Sequence, residues 1–244
     1  MRAIISDYLN NYESFQLFGL SHWVAILLFF FLLFFLPWLS KNYLSLINQK
    51  KLGTFLVLIV FINYPIWVAL ELIAGSFEYK LHLPLHLCRF ANLLLPFAII
   101  KRNDFIFQIL FYWGLSAMFQ AIFTPDITHD FPHFHYFRYF AAHQLLVITI
   151  VYAVIVYDMR PTLKGLKHAF IALNIFLIFS LGFNLLLDAN YFWIMEKPPV
   201  SSLLDFMGPW PWYILVAEFV ALLHFIIVYI MYKFFSNYFK LANQ

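Results

Sequence analysis

Seven apolar stretches, each long enough to cross a bilayer as a helix, constrain this chain more than any other feature of its sequence. A span needs roughly 17 to 25 mostly apolar residues to cover about 30 Å of hydrocarbon while every backbone group is hydrogen-bonded within the helix. Such stretches run near Ser21 to Leu39, Leu52 to Ala74, Leu83 to Ile100, Phe105 to Phe123, Tyr139 to Tyr157, His168 to Leu187 and Pro211 to Tyr232. With 64% hydrophobic and only 11% charged residues, the composition is that of an integral membrane protein. The expected fold is all-α and polytopic: one seven-transmembrane-helix bundle over residues 1–244, with no linker or low-complexity segment dividing it.

Orientation follows from the basic residues. Lys41, Lys50, Lys51, Lys101, Arg102, Arg160, Lys164, Lys167, Lys233 and Lys240 all fall on the side of the odd-numbered connections and the C-terminal tail. The other side is mostly acidic, which predicts an outside N-terminus and a cytoplasmic C-terminus in the cell membrane. Basic residues spread over short loops act as topology signals, and no basic patch with interleaved aromatics occurs, so nucleic acid is not an expected partner. The first twenty residues carry Asp7 and Glu13 and do not read as a cleavable signal. They are expected to lie at the interface with Tyr8, Tyr12, Phe15 and Phe18 toward lipid.

Against this apolar background a set of polar residues stands out: Glu71, His86, Cys88, Arg89, Asn92, Gln120, His143, Asn184 and Glu218. At about 1.5 Å per helical residue, most of them fall in the outer half of the membrane, although they come from six spans. His86 and Cys88 are roughly 5 to 8 Å into the third span, His143 roughly 6 Å into the fifth, and Glu218 roughly 10 Å into the seventh. Cys88 and Asn92 share a helix face, while His86 lies on another face with Arg89. A base for Cys88 therefore has to come from a different helix, and His143 is the histidine at matching depth. Charged groups at such depth need partners or water, so Arg89 paired with Glu71 or Glu218 is the structural alternative for those three. Interhelical hydrogen bonding is the alternative for Gln120, Asn184 and Asn92. The lone cysteine excludes an internal disulfide.

No cofactor or metal is expected. The loop Thr128-His129-Asp130-Phe131-Pro132-His133-Phe134-His135 matches no zinc spacing, and Pro132 interrupts any shared helix face. The seventh span has no lysine before Lys233 for a retinal Schiff base, and His224 lies too deep to join the polar cluster. The run Gly208-Pro209-Trp210-Pro211-Trp212-Tyr213 reads as an anchor at the outer interface.

The segments Leu83-Pro84-Leu85-His86-Leu87-Cys88, Phe140-Ala141-Ala142-His143, and Lys197-Pro198-Pro199 through Ser202-Leu203-Leu204-Asp205 into the tryptophan run resemble the YwaF-type bacterial integral membrane proteins. That family is in turn similar to an animal transmembrane acyltransferase that builds polyunsaturated ether phospholipids. The resemblance covers nearly the whole chain and is most specific at the cysteine and tryptophan motifs. It implies a cysteine nucleophile and a histidine base, which fall here on Cys88 and His143. The expected chemistry is acyl transfer from a phospholipid to a lysophospholipid through a thioester, with membrane lipids as partners. His86 or Arg89 would hold the phosphate or the oxyanion, and Glu71 or Glu218 would orient an imidazole. The rival expectation is a transporter or receptor that binds a small solute or lipid in an outward-facing polar pocket and does not need Cys88.

Overall fold

The structure is a computed structural model that describes residues 2–199 and 202–242. Every regular element among them is helical. After a short α1 (Arg2–Asn10) come α2 (Leu20–Tyr43) and α3 (Leu46–Ala74). The next helix, α4 (Leu87–Ile99), has 13 residues. It is followed by α5 (Asp104–Trp113), which continues through a π-helical turn at Gly114–Met118 into α6 (Phe119–Phe123). α7 (Phe134–Phe140) likewise continues through a second π turn at Ala141–Leu145 into α8 (Leu146–Ile155). α9 (Leu163–Leu187) and α10 (Trp212–Ala242) complete the bundle, joined by short 3₁₀ turns at Tyr191–Trp193 and Leu203–Met207.

Local chemistry sets most of these boundaries. Ser45, Asn103 and Thr162 cap helix starts with side-chain oxygens that accept from the N–H groups of Asn48, Ile106 and Gly165, satisfying donors the helix cannot. Gly75 ends α3 in the left-handed region at φ 78°, where a residue without a Cβ pays no steric penalty.

Six helical segments are long and apolar enough to cross a membrane: Leu20–Tyr43, Leu46–Ala74, Asp104–Phe123, Phe134–Ile155, Leu163–Leu187 and Trp212–Ser236. The protein is thus an all-helical, multi-pass membrane protein. α4 does not reach that length. Its 13 residues rise only about 20 Å, because Leu83, Pro84, Leu85 and His86 stay outside the helix. The fifth predicted span starts earlier than expected, at Phe134, which brings Arg138 into a helix.

α8 is the central pillar and packs on α2, α3, α4 and α5. Phe29, Val60, Leu95, Leu110, Leu146, Ile150 and Tyr152 form a continuous buried core around it. Side chains such as Phe31, Phe34, Ile178 and Leu186 face outward instead, as a lipid-contacting surface requires. α1 and its following loop fold over one end of the bundle. The aromatic residues expected to point at lipid turn largely onto histidine rings. Tyr8 stacks on His133 with centroids 4.9 Å apart, Tyr12 lies over His129 at 3.8 Å, and Phe15 and Phe18 both contact His22 at 5.3 Å.

Candidate functional site

Beneath that cap lies a cavity of about 830 Å³, within the usual range for small-molecule sites. Eight of the nine polar residues picked from the sequence line it: Glu71, His86, Cys88, Arg89, Asn92, Gln120, His143 and Glu218. Leu81, Thr128 and Leu203, which are exposed, mark where it reaches the surface. Below the polar end the walls turn apolar, with Trp113, Leu173, Leu177, Val220, Ala221 and Phe225 on helices α5, α9 and α10.

Cys88 is the second residue of α4, so its side chain sits at the positive end of a helix whose first N–H groups lack helical acceptors. The His143 imidazole and the guanidinium groups of Arg89 and Arg138 line the same cavity wall and bear on its thiol, His143 most strongly. His143 lies within the π turn Ala141–Leu145, a distortion that shifts side chains off the regular helical register and recurs at functional sites. Its Nδ1 is 2.8 Å from the Tyr139 carbonyl oxygen, which can only accept. Nδ1 therefore carries the proton, and the Nε2 lone pair is the one available to the thiol. The opposing π turn at Gly114–Met118 contacts this one, and Gly114 eases the packing, since a Cβ there would push aside the Ile150 side-chain tip.

One turn along α4 from Cys88, the Asn92 side chain is 3% exposed and its carboxamide oxygen is buried without a hydrogen-bond partner. A buried amide left unpaired by the protein costs roughly 1–3 kcal/mol and is a common sign of a site that a ligand completes.

The pairing of Arg89 with a glutamate does not occur. Arg89 Nη1 donates to the carbonyls of Leu81 and, at 3.1 Å, Leu83, and the guanidinium stacks over Trp67. Glu71 accepts instead from Trp67 Nε1 at 2.8 Å and Ser76 Oγ at 2.5 Å, with the Nε2 atoms of His135 and His82 at 3.6 and 3.8 Å. Glu218 accepts from Asn174 Nδ2 at 2.8 Å, and Gln120 donates to Thr124 Oγ1 at 3.3 Å. His86 caps α4 with extended backbone, so the helical angle expected between it and Cys88 does not apply; its ring packs on Tyr191 and Trp193. Asn184 stands apart from the cavity. It donates to the Tyr191 carbonyl at 2.9 Å and accepts from the Tyr191 N–H at 2.7 Å, clasping the loop after α9. His224, read as too deep to matter, lines the apolar arm.

Over residues 17–229, which include every residue of this site, the sequence matches the TMEM164 family. The chain belongs to that family. An uncharacterized protein of Treponema pallidum (strain Nichols) is 27% identical over 188 residues, which cover 74% of this chain and 75% of that protein. No solved structure matches.

In this TMEM164-family protein, the cavity also holds Trp67, His82, Asp126, Arg138 and Tyr139, which the polar pattern of the spans does not single out, together with His135 from the loop that matches no zinc spacing. A fifth span beginning at Tyr139 leaves Arg138 in the loop ahead of it, whereas the structure places it inside α7. The signal was present in the sequence, since Phe134–Phe140 is an aromatic helical run interrupted only by His135 and Arg138.

Proposed function

We propose that this protein moves a fatty acyl chain between phospholipids, with Cys88 as nucleophile and His143 as its base. The observation that carries the reading is that the Cys88 thiol, in the first turn of α4, and the His143 imidazole, on the π turn Ala141–Leu145, share the wall of one cavity that is polar at one end and apolar at the other. His143 Nε2 takes the proton from Cys88 Sγ, and the thiolate attacks the carbonyl carbon of a phospholipid ester. The ester C–O bond breaks, the departing glycerol oxygen takes that proton back from His143, and the acyl chain remains as a thioester. A lysophospholipid hydroxyl then gives its proton to His143 and attacks the thioester, which releases the thiolate to be reprotonated. The backbone N–H groups opening α4 and the Asn92 Nδ2 donor are suited to stabilise the oxyanion of both tetrahedral intermediates, a role the unpartnered Asn92 Oδ1 cannot take because it only accepts. The apolar arm along α9 and α10 has the lining an acyl chain needs.

In this reading α4 and the Leu81–His86 loop ahead of it act as a seventh, partly irregular crossing of the cell membrane. Irregular backbone at membrane depth is tolerated where it lines a cavity, as this loop does. The distribution of Lys and Arg favours an outside N-terminus and a cytoplasmic C-terminus.

The test combines intact-protein mass spectrometry with transfer of a labelled acyl chain between defined lipids by the purified protein. A hydroxylamine-sensitive acyl adduct on the unaltered protein, absent from Cys88→Ala, together with loss of transfer in Cys88→Ala and His143→Ala, is the expected result. Full transfer by either variant overturns the mechanism.

A further inference from the structure

Two guanidinium groups from different helices converge on one ring at the polar end of the cavity. Cζ of Arg89 on α4 is 4.4 Å from the Trp67 ring centroid, and Cζ of Arg138 on α7 is 4.0 Å from it. Like charges held this close in a partly dehydrated pocket repel, and the aromatic face offsets only part of that cost. A carboxylate partner would relieve it. Among the described residues, however, the ion pairs are those of Lys80 with Asp188, Arg160 with Asp158, and His82 and His135 with Glu71; neither cavity arginine is among them.

The donors of the two residues are used unequally. Arg89 commits Nη1 to the Leu81 and Leu83 carbonyls, which fixes the plane of its guanidinium. Arg138 Nε faces His135 Nδ1 at 3.4 Å, while its terminal amino groups have no acceptor among the described residues. Of the two carboxylates that line the cavity beside the arginines, Glu71 already accepts from Trp67 and Ser76, and Asp126 acts on Arg89 without coming within ion-pair distance. The result is a cationic pair held rigidly by an indole, opening into the cavity beside Cys88.

We infer that Arg89 and Arg138 form a clamp for a phosphate oxyanion, with Trp67 as the plate that holds the two forks in place. Guanidinium forks match the geometry of phosphate oxygens and gain most where water is scarce. The apolar arm beneath the clamp favours a lipid headgroup over free phosphate as the source. Arg138 is then a positioning residue: it holds the headgroup so that the ester reaches Cys88, while the α4 N-terminus and Asn92 are left for the oxyanion. The clamp rests on the acyl-transfer reading only for the purpose it serves, and phosphate binding is testable separately.

The experiment measures binding by isothermal titration calorimetry on the full-length Cys88→Ala protein in detergent, so that turnover does not intervene. The probes are dihexanoylphosphatidic acid and dihexanoylglycerol, which share their chains and differ by the phosphate group alone. The phospholipid is expected to bind about tenfold tighter or more, the effect of a charge-assisted pair. Adding Arg138→Gln removes that preference without changing dihexanoylglycerol affinity, and Arg138→Lys restores part of it. Equal affinity for the two probes, or a preference that survives Arg138→Gln, overturns the clamp. Should Arg138→Gln fail to fold, the two-probe comparison with Arg138 present decides alone. Inorganic phosphate is then titrated as a competitor. No displacement of the phospholipid at millimolar concentration assigns the clamp to a headgroup, whereas full displacement overturns that source in favour of the free ion. Loss of the thioester adduct from a protein that keeps its phosphate preference would overturn acyl transfer and leave the clamp standing.

Discussion

Replacing Asn184 by alanine tests whether the loop that presents Cys88 is held from α9. Asn184 is 1% exposed, and its carboxamide meets both backbone groups of Tyr191, itself fully buried. The Tyr191 hydroxyl carries the connection onward: it donates to the Tyr79 carbonyl at 2.5 Å and accepts from the Leu83 N–H at 3.0 Å. Leu83 in turn offers its carbonyl to Arg89. The alanine leaves a buried N–H and a buried C=O unpaired, each costing about 1–3 kcal/mol, so partial relaxation gives an expected loss of about 2 to 4 kcal/mol. Reversible unfolding in mixed micelles, followed by far-UV circular dichroism, reads the loss directly. Tyr191→Phe breaks the next link, and because the two residues share one network their effects should be less than additive. A loss below about 1 kcal/mol for Asn184→Ala, or strict additivity in the double variant, would refute the idea that this chain of contacts supports the site.

Further outcomes follow from the cap and the helix ends. Burial, with repulsion from His133 adding to it, pushes the His129 imidazole down to about 4 from its ordinary 6.5, and Arg138 and Glu71 bear on it with opposite signs. His129 is therefore neutral in the folded protein and takes up protons more readily once unfolded, so stability should fall as pH drops from about 6.5 toward 4. Thermal melts across that range check this, and His129→Gln should flatten the dependence. At Gly75, alanine would force a Cβ into the left-handed region and against the Arg2 guanidinium, costing about 1–2 kcal/mol and loosening α1 in limited proteolysis. In contrast, Lys80→Ala should leave the thermal melt unchanged, because its ion pair with Asp188 is solvent-exposed.

Much of the site was legible in the sequence because a bilayer makes polar residues expensive. Glu71, Cys88, Arg89, Asn92, His143 and Glu218 stood out by cost alone, and they share one cavity. Pairing was not legible. Arg89 and Glu71 are both found at the polar end of the cavity, yet Arg89 turns to loop carbonyls and Trp67 while Glu71 turns to Trp67, Ser76 and two histidines. Hydropathy reports depth and is blind to rotation, so it cannot say which polar neighbours meet. Asn184 matched the cluster in depth but points at its own loop, for the same reason.

The sequence by itself determined that this chain is helical and multi-pass, because only internally hydrogen-bonded helices satisfy an apolar backbone of this length in lipid. It also singled out Cys88 and His143, through cost and through resemblance. Tertiary structure decided the rest. Pro84 and its neighbours stay out of the helix, so α4 starts at Leu87 and puts Cys88 in its first turn. The π turn at Ala141–Leu145 sets the angle of His143, and the contact of α7 with α3 lays Arg138 over the Trp67 ring. Each of these depends on contacts between segments distant in sequence, and a periodic pattern of apolar residues carries no record of them.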